Sequence, residues 1–553
     1  AAGASISFDS TLDGTTANEE DLQLNAGTGG NITIAGAAGG TTRLGLLNIV
    51  NANDVTTGAL TLGGLVQNDG QGLSTFDGAV NTNAGGVVVT GNNFTFTGTV
   101  TTGAGGELFS TNAGALVLGA GANLDGSLVQ AGGGSITVTG NITTTNDNIG
   151  IAGDLILTGS STFDAGTGTI ALSGAADLGT GTVIFNADSI NFNGGANSVS
   201  GTGTLTLRPS TNGASISVGT GGGDLELTAA DMAALADGFT QINIGRAGTG
   251  EHEITIGTLA IRDPMVFHAS AAGGSVVVNG NITGTTNGSV TINGSGNSTT
   301  LNGNIVSAGG AIAINDGVTL GTNVQLDTTN GGAVAAGANI SITGAVNATT
   351  SGTEGLTLRA GTGGDISLGT VGGTTRVGAF TITSADDVSA GAITASTITQ
   401  TAATSATYSG ALNTNAGGGI SLTGGSISLA GATTTNGGGL TINNSAALSI
   451  DGALNLDGAL SQTGTGTVTI SNNITTTNDA VSFASNVILG TDISIDTNSG
   501  TGANVTFGGT LNGTTAGADN LTINAGSGDV TFTGAIGGST PLGILTITSA
   551  DDV

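Results

Sequence analysis

The chain has 553 residues, of which 105 are Gly and 3 are Pro; none is Cys or Trp, and charged residues make up 8% of it. Its 37 acids face 6 Arg and no Lys, a formal charge of −31 at pH 7, which argues against phosphate backbones and anionic membrane surfaces as partners. No apolar run approaches the roughly 18 residues that span a bilayer. The start, AAGASISFDS, carries no basic, apolar secretory leader, and the lack of Cys suits a protein that crosses an oxidising compartment unfolded.

From Asn31 to Asp188 the apolar residues come as evenly spaced triplets: NITIAG, LTLGG, VVVTG, FTFTG, LVLGAG, ITVTG, LILTG, IALSG and VIFNAD. Each alternates apolar with Thr, Ser or Asn and then meets a turn residue, the pattern of a short half-buried strand. An ordered all-β chain is therefore expected in place of a disordered one. The triplets recur at roughly 15 to 22 residues, as at Leu116–Leu118, Ile136–Val138 and Leu155–Leu157, too close for separate domains.

The expected fold is all-β, a parallel β-helix (β-solenoid) whose coils stack strand on strand around a narrow aliphatic core. About 27 coils of roughly 20 residues would make a rod of about 130 Å. Gly and Asn at the corners supply the positive φ of tight turns. Phe8, Phe76, Phe94, Phe96, Phe185 and Tyr408 are expected in or near the core, Tyr408 standing where Phe76 stands in an earlier repeat.

That repeat is long. NTNAGG at Asn81 returns at Asn413 and NITTTND at Asn141 returns at Asn473, by the same shift in both cases, while AGTGG at Ala26 returns at Ala360. The plan is one solenoid block at 1–168, a second at 337–500, and at 501–553 the start of a third expected to continue beyond the chain. Residues 169–336 lie between the full blocks and hold a divergent module at about 205–268, with three Arg, both His, both Met and two of the Pro. Within it, TAADMAALADGF offers Thr228 as N-cap, Asp231 as its partner and Gly238 as terminator of a short helix near 228–236.

The stretch LTLRPSTNGASISVGTGGGDLELTAADMAALADGFTQINIGRAGTGEHEITIG, Leu205 to Gly257, resembles a module of very large bacterial surface proteins of the filamentous-haemagglutinin type. The features that carry the resemblance are LTLRP, the DLELTAADMAAL helix, and FTQINIG followed by ITIG. The flanking blocks resemble the β-strand repeats of the same proteins. The resemblance implies a right-handed parallel β-helix at the bacterial cell surface, extracellular, with adhesion, biofilm-matrix or filament roles and no catalytic residues. It implies surface glycans, surface proteins or further copies of the chain as partners, by end-to-end or lateral self-association.

Several motifs invite chemistry and are weighed on the residues themselves. TITSADDV, at Thr381–Val388 and Thr546–Val553, pairs Asp386 with Asp387 and Asp551 with Asp552; the earlier NIVNANDV has Asn53 and Asp54. Neighbours on a strand point to opposite faces, and exchange of Asp for Asn suits a corner residue better than a general acid. Calcium is the natural cation for an acidic exported solenoid, but the Gly-Gly-x-Gly-x-Asp nonapeptides are missing, and NLDG at Asn123 and Asn455 reads as a turn. Structural calcium at a corner is the one cofactor left open.

EHEITIG sets Glu251, His252 and Glu253 side by side, but alternation turns His252 away from both acids, so two surface histidines are expected in preference to a metal site. Asn31, Asn141, Asn281, Asn347, Asn473 and Asn520 open Asn-x-Thr/Ser triplets that the composition alone accounts for. Thr-x-Thr occurs without a strict period, which weakens an ice-binding reading. The expectation is a non-enzymatic structural or adhesive rod. The alternative is a carbohydrate-acting β-helix enzyme, which needs carboxylates from adjacent coils converging in a groove.

Overall fold

The computed structural model describes residues 2–296, 298–498 and 501–553. The expected block ends at residues 1 and 500 lie outside them. The chain divides into two compact units, Ala1–Gly274 and Ser275–Val553.

In the first unit, ten strands form one parallel sheet from Ile6–Phe8 and Ile32–Ile34 to Val199–Ser200. Successive members are one coil apart in sequence. Leu116–Leu118, Ile136–Val138 and Leu155–Leu157 are direct neighbours in it. Each coil adds strands to two further columns, one running Val80, Val100, Ala122, Ile142, Phe163, Phe185 and the other Val87, Leu108, Leu128, Ile149, Ile170, Ile190. The second unit is built the same way, for instance through Ile366, Val388, Ala406, Ile427, Leu448 and Val468. The fold is a parallel β-solenoid.

Coils are uneven, and some exceed the triplet spacing. Ile136 pairs in register with Leu155, whereas Ile6 reaches further along the chain to pair with Ile32. In the second unit Val388 pairs with Ala406 across a short coil and Ile312 with Ile340 across a long one. The surplus sits in corner loops, where added chain costs little because loop-closure entropy grows slowly with length.

Alternation decides what is inside. In Ile136–Val138 and Leu155–Leu157 the first and third residues are buried and the second faces out. Burying one Leu, Ile, Val or Phe is worth about 1.5–3 kcal/mol, and each coil contributes several. Phenylalanines stack along the columns, Phe76 on Phe96 with ring centroids 4.7 Å apart and Phe483 on Phe507 at 5.6 Å. Phe76, Phe94, Phe96, Phe185 and Tyr408 are fully buried. Phe8 is only half-buried, because its strand has a paired neighbour on one side.

Equivalent residues of the two repeat blocks take the same roles. Gly39 and Gly372 both hold positive φ, +74° and +69°, and a β-carbon on either would stand 1.9 Å from the carbonyl oxygen of the next coil, Thr61 or Thr394. Arg43 donates to the carbonyls of Leu62 (2.6 Å) and Asn81 (3.1 Å); Arg376 donates to those of Ala395 (2.6 Å) and Asn413 (3.2 Å). These two cations of an acidic chain donate to strand carbonyls of the coils that follow them.

Candidate functional site

The divergent module enlarges one coil of the first unit. Between Leu205 and its register partner Ile242 the chain makes a long excursion, which carries the strands Ile216–Val218 and Leu225–Leu227 and the helix α1, Ala229–Ala234. Thr228 caps α1 and Asp231 completes the capping box, as the sequence indicates. The helix stops at Leu235, which turns extended to bridge Val199, so it ends before Gly238. Asp231 also pins α1 to the strand Thr182–Phe192. One of its carboxylate oxygens accepts the Thr228 N–H at 2.9 Å and the other accepts the Phe192 N–H at 2.8 Å.

A cavity of ≈ 320 Å³ lies between α1 and the strand Leu259–Ile261. Met232, Leu235, Ile242, Leu259 and Met265 line it, so both methionines of the chain face one space. Asp263 closes one side, buried, with Oδ1 accepting the Gly238 N–H at 2.9 Å. Burial, reinforced by the neighbouring Asp237 carboxylate, pushes its pKa up from the usual carboxylate range.

Two other arginines of the module meet at one oxygen. Arg208 Nε and Arg246 Nη2 both donate to Asn186 Oδ1, at 3.2 and 2.6 Å, and Arg246 also holds the carbonyls of Pro209 and Ser210. Burial and the Arg208 charge lower the Arg246 pKa, against the opposing pull of Asp164 and Asp188.

The histidines are not surface residues. Alternation does separate His252 from the exposed Glu251 and Glu253, but it sends the imidazole inward, where it is fully buried. Its Nδ1 lies 2.8 Å from the Ala214 carbonyl, which assigns the proton to that nitrogen, while Nε2 has no hydrogen-bond partner among the described residues. Gly245 and Gly250 close on the ring, leaving no room for a β-carbon at Gly250, 2.9 Å from Cδ2. Burial lowers the pKa of both histidines; His268 is half-buried, with Nε2 3.3 Å from Asn243 Oδ1. The pattern E-H-E contains this signal, since an alternating strand with acids outside must put its middle residue inside.

The TITSADDV aspartates occupy a junction between faces. The strand Val377–Ala390 pairs with Leu356–Arg359 through Phe380–Ser384 and with Ile366–Leu368 through Val388–Ala390, so Asp386 and Asp387 sit where the chain passes from one column to the next. Asp387 accepts the Ser405 hydroxyl at 2.6 Å, and its counterpart Asp54 accepts the Leu73 N–H at 2.9 Å. Asp551 and Asp552 are exposed.

In the NLDG segments, Asp125 and Asp457 accept the N–H of Gly105 (2.8 Å) and Gly437 (2.9 Å) in the adjoining coil, a turn role. Among the described residues no group of three or more His, Asp or Glu side chains is placed to hold a metal ion.

Composition is not the whole account of the Asn-x-Thr/Ser triplets. The side-chain oxygens of Asn141, Asn281, Asn347, Asn473 and Asn520 accept a backbone N–H of the following coil at 2.7–2.9 Å, and Asn31 does so at 3.2 Å. They are staples between coils.

No protein-family model matches this chain, no curated protein matches it, and no solved structure matches it. Fold and site define a class: a repeat protein of the parallel β-solenoid type. Among the described residues no helix is long and apolar enough to cross a membrane.

Proposed function

We propose that the chain is a structural and adhesive segment of a large bacterial surface protein, exported and extracellular, that holds binding surfaces away from the cell and contributes to attachment or matrix formation. The observation that supports this reading is the continuity of the stack within each unit. Strand pairs with strand in parallel from coil to coil, Asn and Asp staples tie successive corners, and Phe and aliphatic columns run alongside. An object built this way resists bending and stretching, because deformation must break many backbone bonds together. The module motif LTLRP through ITIG, with its resemblance to filamentous-haemagglutinin-type proteins, supports a bacterial surface role.

Antibodies against the chain test it on the producing bacterium, by labelling intact and permeabilised cells and by comparing attachment of a deletion strain. Labelling of intact cells with reduced attachment is expected. Antigen confined to permeabilised cells would overturn the proposal.

A further inference from the structure

One face of the second unit carries a feature that strand spacing alone does not display. Thr357 pairs in register with Thr381, Thr381 with Thr399, Thr399 with Ser421, Ser421 with Thr441 and Thr441 with Ser461. Every one of these stacked residues carries a hydroxyl, and the column continues to Thr531. Coils repeat at about 4.8 Å, so the hydroxyls stand in a row at that interval.

Beside this row lies an open groove of ≈ 410 Å³ that crosses several coils. Thr401, Thr423 and Asn443, each two residues beyond a column member and so on the same side of the chain, line it with Thr404 over a floor of the buried Ala385 and Ala403. Among the described residues no charged side chain lines it, in a chain whose formal charge is −31.

We propose that the row and its groove form a binding face for a neutral polysaccharide chain. The inference rests on the adhesive reading and names the partner class for it. Hydroxyl and amide side chains both donate and accept, which matches the hydroxyls of a sugar polymer. An uncharged lining gives no purchase to acidic polymers, which the rest of this acidic chain repels. Length is the further argument: a groove that runs across coils suits an extended repeating ligand, and weak contacts at each coil multiply along it. Small floor residues leave room for a sugar ring against the backbone.

The test is native affinity electrophoresis of the whole chain through gels containing hydroxyethylcellulose, dextran or soluble starch, with alginate as the acidic comparison. Retardation by at least one neutral polymer, insensitive to added salt and absent with alginate, is expected. The double substitution Thr401→Asp with Thr423→Asp, on exposed or half-exposed positions, should weaken that retardation by about tenfold or more. Thr469→Asp, on a different outward column, should leave it unchanged, with far-ultraviolet circular dichroism checking that all three chains fold.

Equal mobility with and without every neutral polymer, preference for alginate, or a double variant retarded like the parent would each overturn the inference. Retention of a neutral polymer by a protein confined inside the cell removes the surface role and leaves this binding face standing. Surface labelling without retention does the reverse.

Discussion

The buried side-chain amide of Gln130 donates to Asn112 Oδ1 at 2.7 Å, and at the equivalent place in the later block Gln462 donates to Asn444 Oδ1 at 2.8 Å. In each pair the glutamine also bonds a nearby carbonyl, Gly132 or Gly464, and its Oε1 accepts a backbone N–H of the next coil, Ala152 or Ala484. Both amides are excluded from water. These pairs lock three consecutive coils at a corner where the ladder would otherwise leave buried groups unpaired.

Replacing Gln130 by Leu strands Asn112 Oδ1, the carbonyls of Gly132 and Gly134, and the N–H of Gly153, while the Ala152 N–H keeps its bond to the main-chain carbonyl of residue 130. At roughly 1–3 kcal/mol per buried group left without a partner, the corner loses several kcal/mol. Hydrogen exchange should show lost amide protection at Gly153, whose N–H is held by the Gln130 side chain, with the second unit unaffected. Unchanged protection there would contradict the pairing.

The asparagine staples predict an asymmetric response. Asn141→Ala removes the acceptor of the Thr162 N–H and should cost about 1 kcal/mol, whereas Asn141→Asp keeps an acceptor and should cost less. Aspartate already serves this purpose in the same chain, as Asp492 accepts the Asn520 N–H at 2.9 Å. Urea unfolding of the two variants checks the order, which matters more than the magnitudes.

Gly372 tests the corner geometry. Alanine there would combine a left-handed backbone with a β-carbon 1.9 Å from the Thr394 oxygen, so the corner must shift. A loss of about 1–3 kcal/mol or more is expected. Gly133, with open space around its would-be β-carbon, should accept Ala at less than about 1 kcal/mol. Thermal melts of the two alanine variants compare the sites directly.

His252 sets a pH dependence for the module. Burial holds its folded pKa below the ordinary 6.5, with the Arg246 charge adding to the depression and Ala214 and Glu251 opposing it. The unfolded chain therefore binds a proton that the folded one refuses. The histidine's contribution is fully present above about 6.5 and is lost as pH falls from there toward the folded pKa. Hydrogen exchange over 204–268, corrected for intrinsic rates, should show loosening on acidification through this window. A His252→Gln chain, destabilised at every pH, should lose the His252 share of that slope and keep the share of His268, whose pKa burial also lowers.

Much of this is legible in the sequence. Triplets such as ITV and LIL alternate so cleanly that strand, inward face and coil neighbour follow from period two alone. Thr228 and Asp231 announce α1 because capping is local chemistry. Gln130 carries a signal as well: in LVQ, alternation puts Leu and Gln on the same side, so the glutamine has to go in with the leucine. The inward turn of His252 follows from the same rule. Composition hides these cases, since Gln and His are usually found outside, and their burial shows only when alternation is applied to polar residues as strictly as to apolar ones.

Period-two burial and the long block repeat are properties of the covalent order, and from them the stack of short parallel strands follows. Register is a property of the folded chain. Coil length varies within the second unit, short from Val388 to Ala406 and long from Ile312 to Ile340, so no fixed spacing tells which Thr stands above which, or which amide oxygen meets which N–H. The hydroxyl row, the Gln130 and Asn112 pair and the cavity beneath α1 each join residues from different coils. Hydrogen bonding between coils, with corner loops absorbing the surplus chain, sets those neighbours.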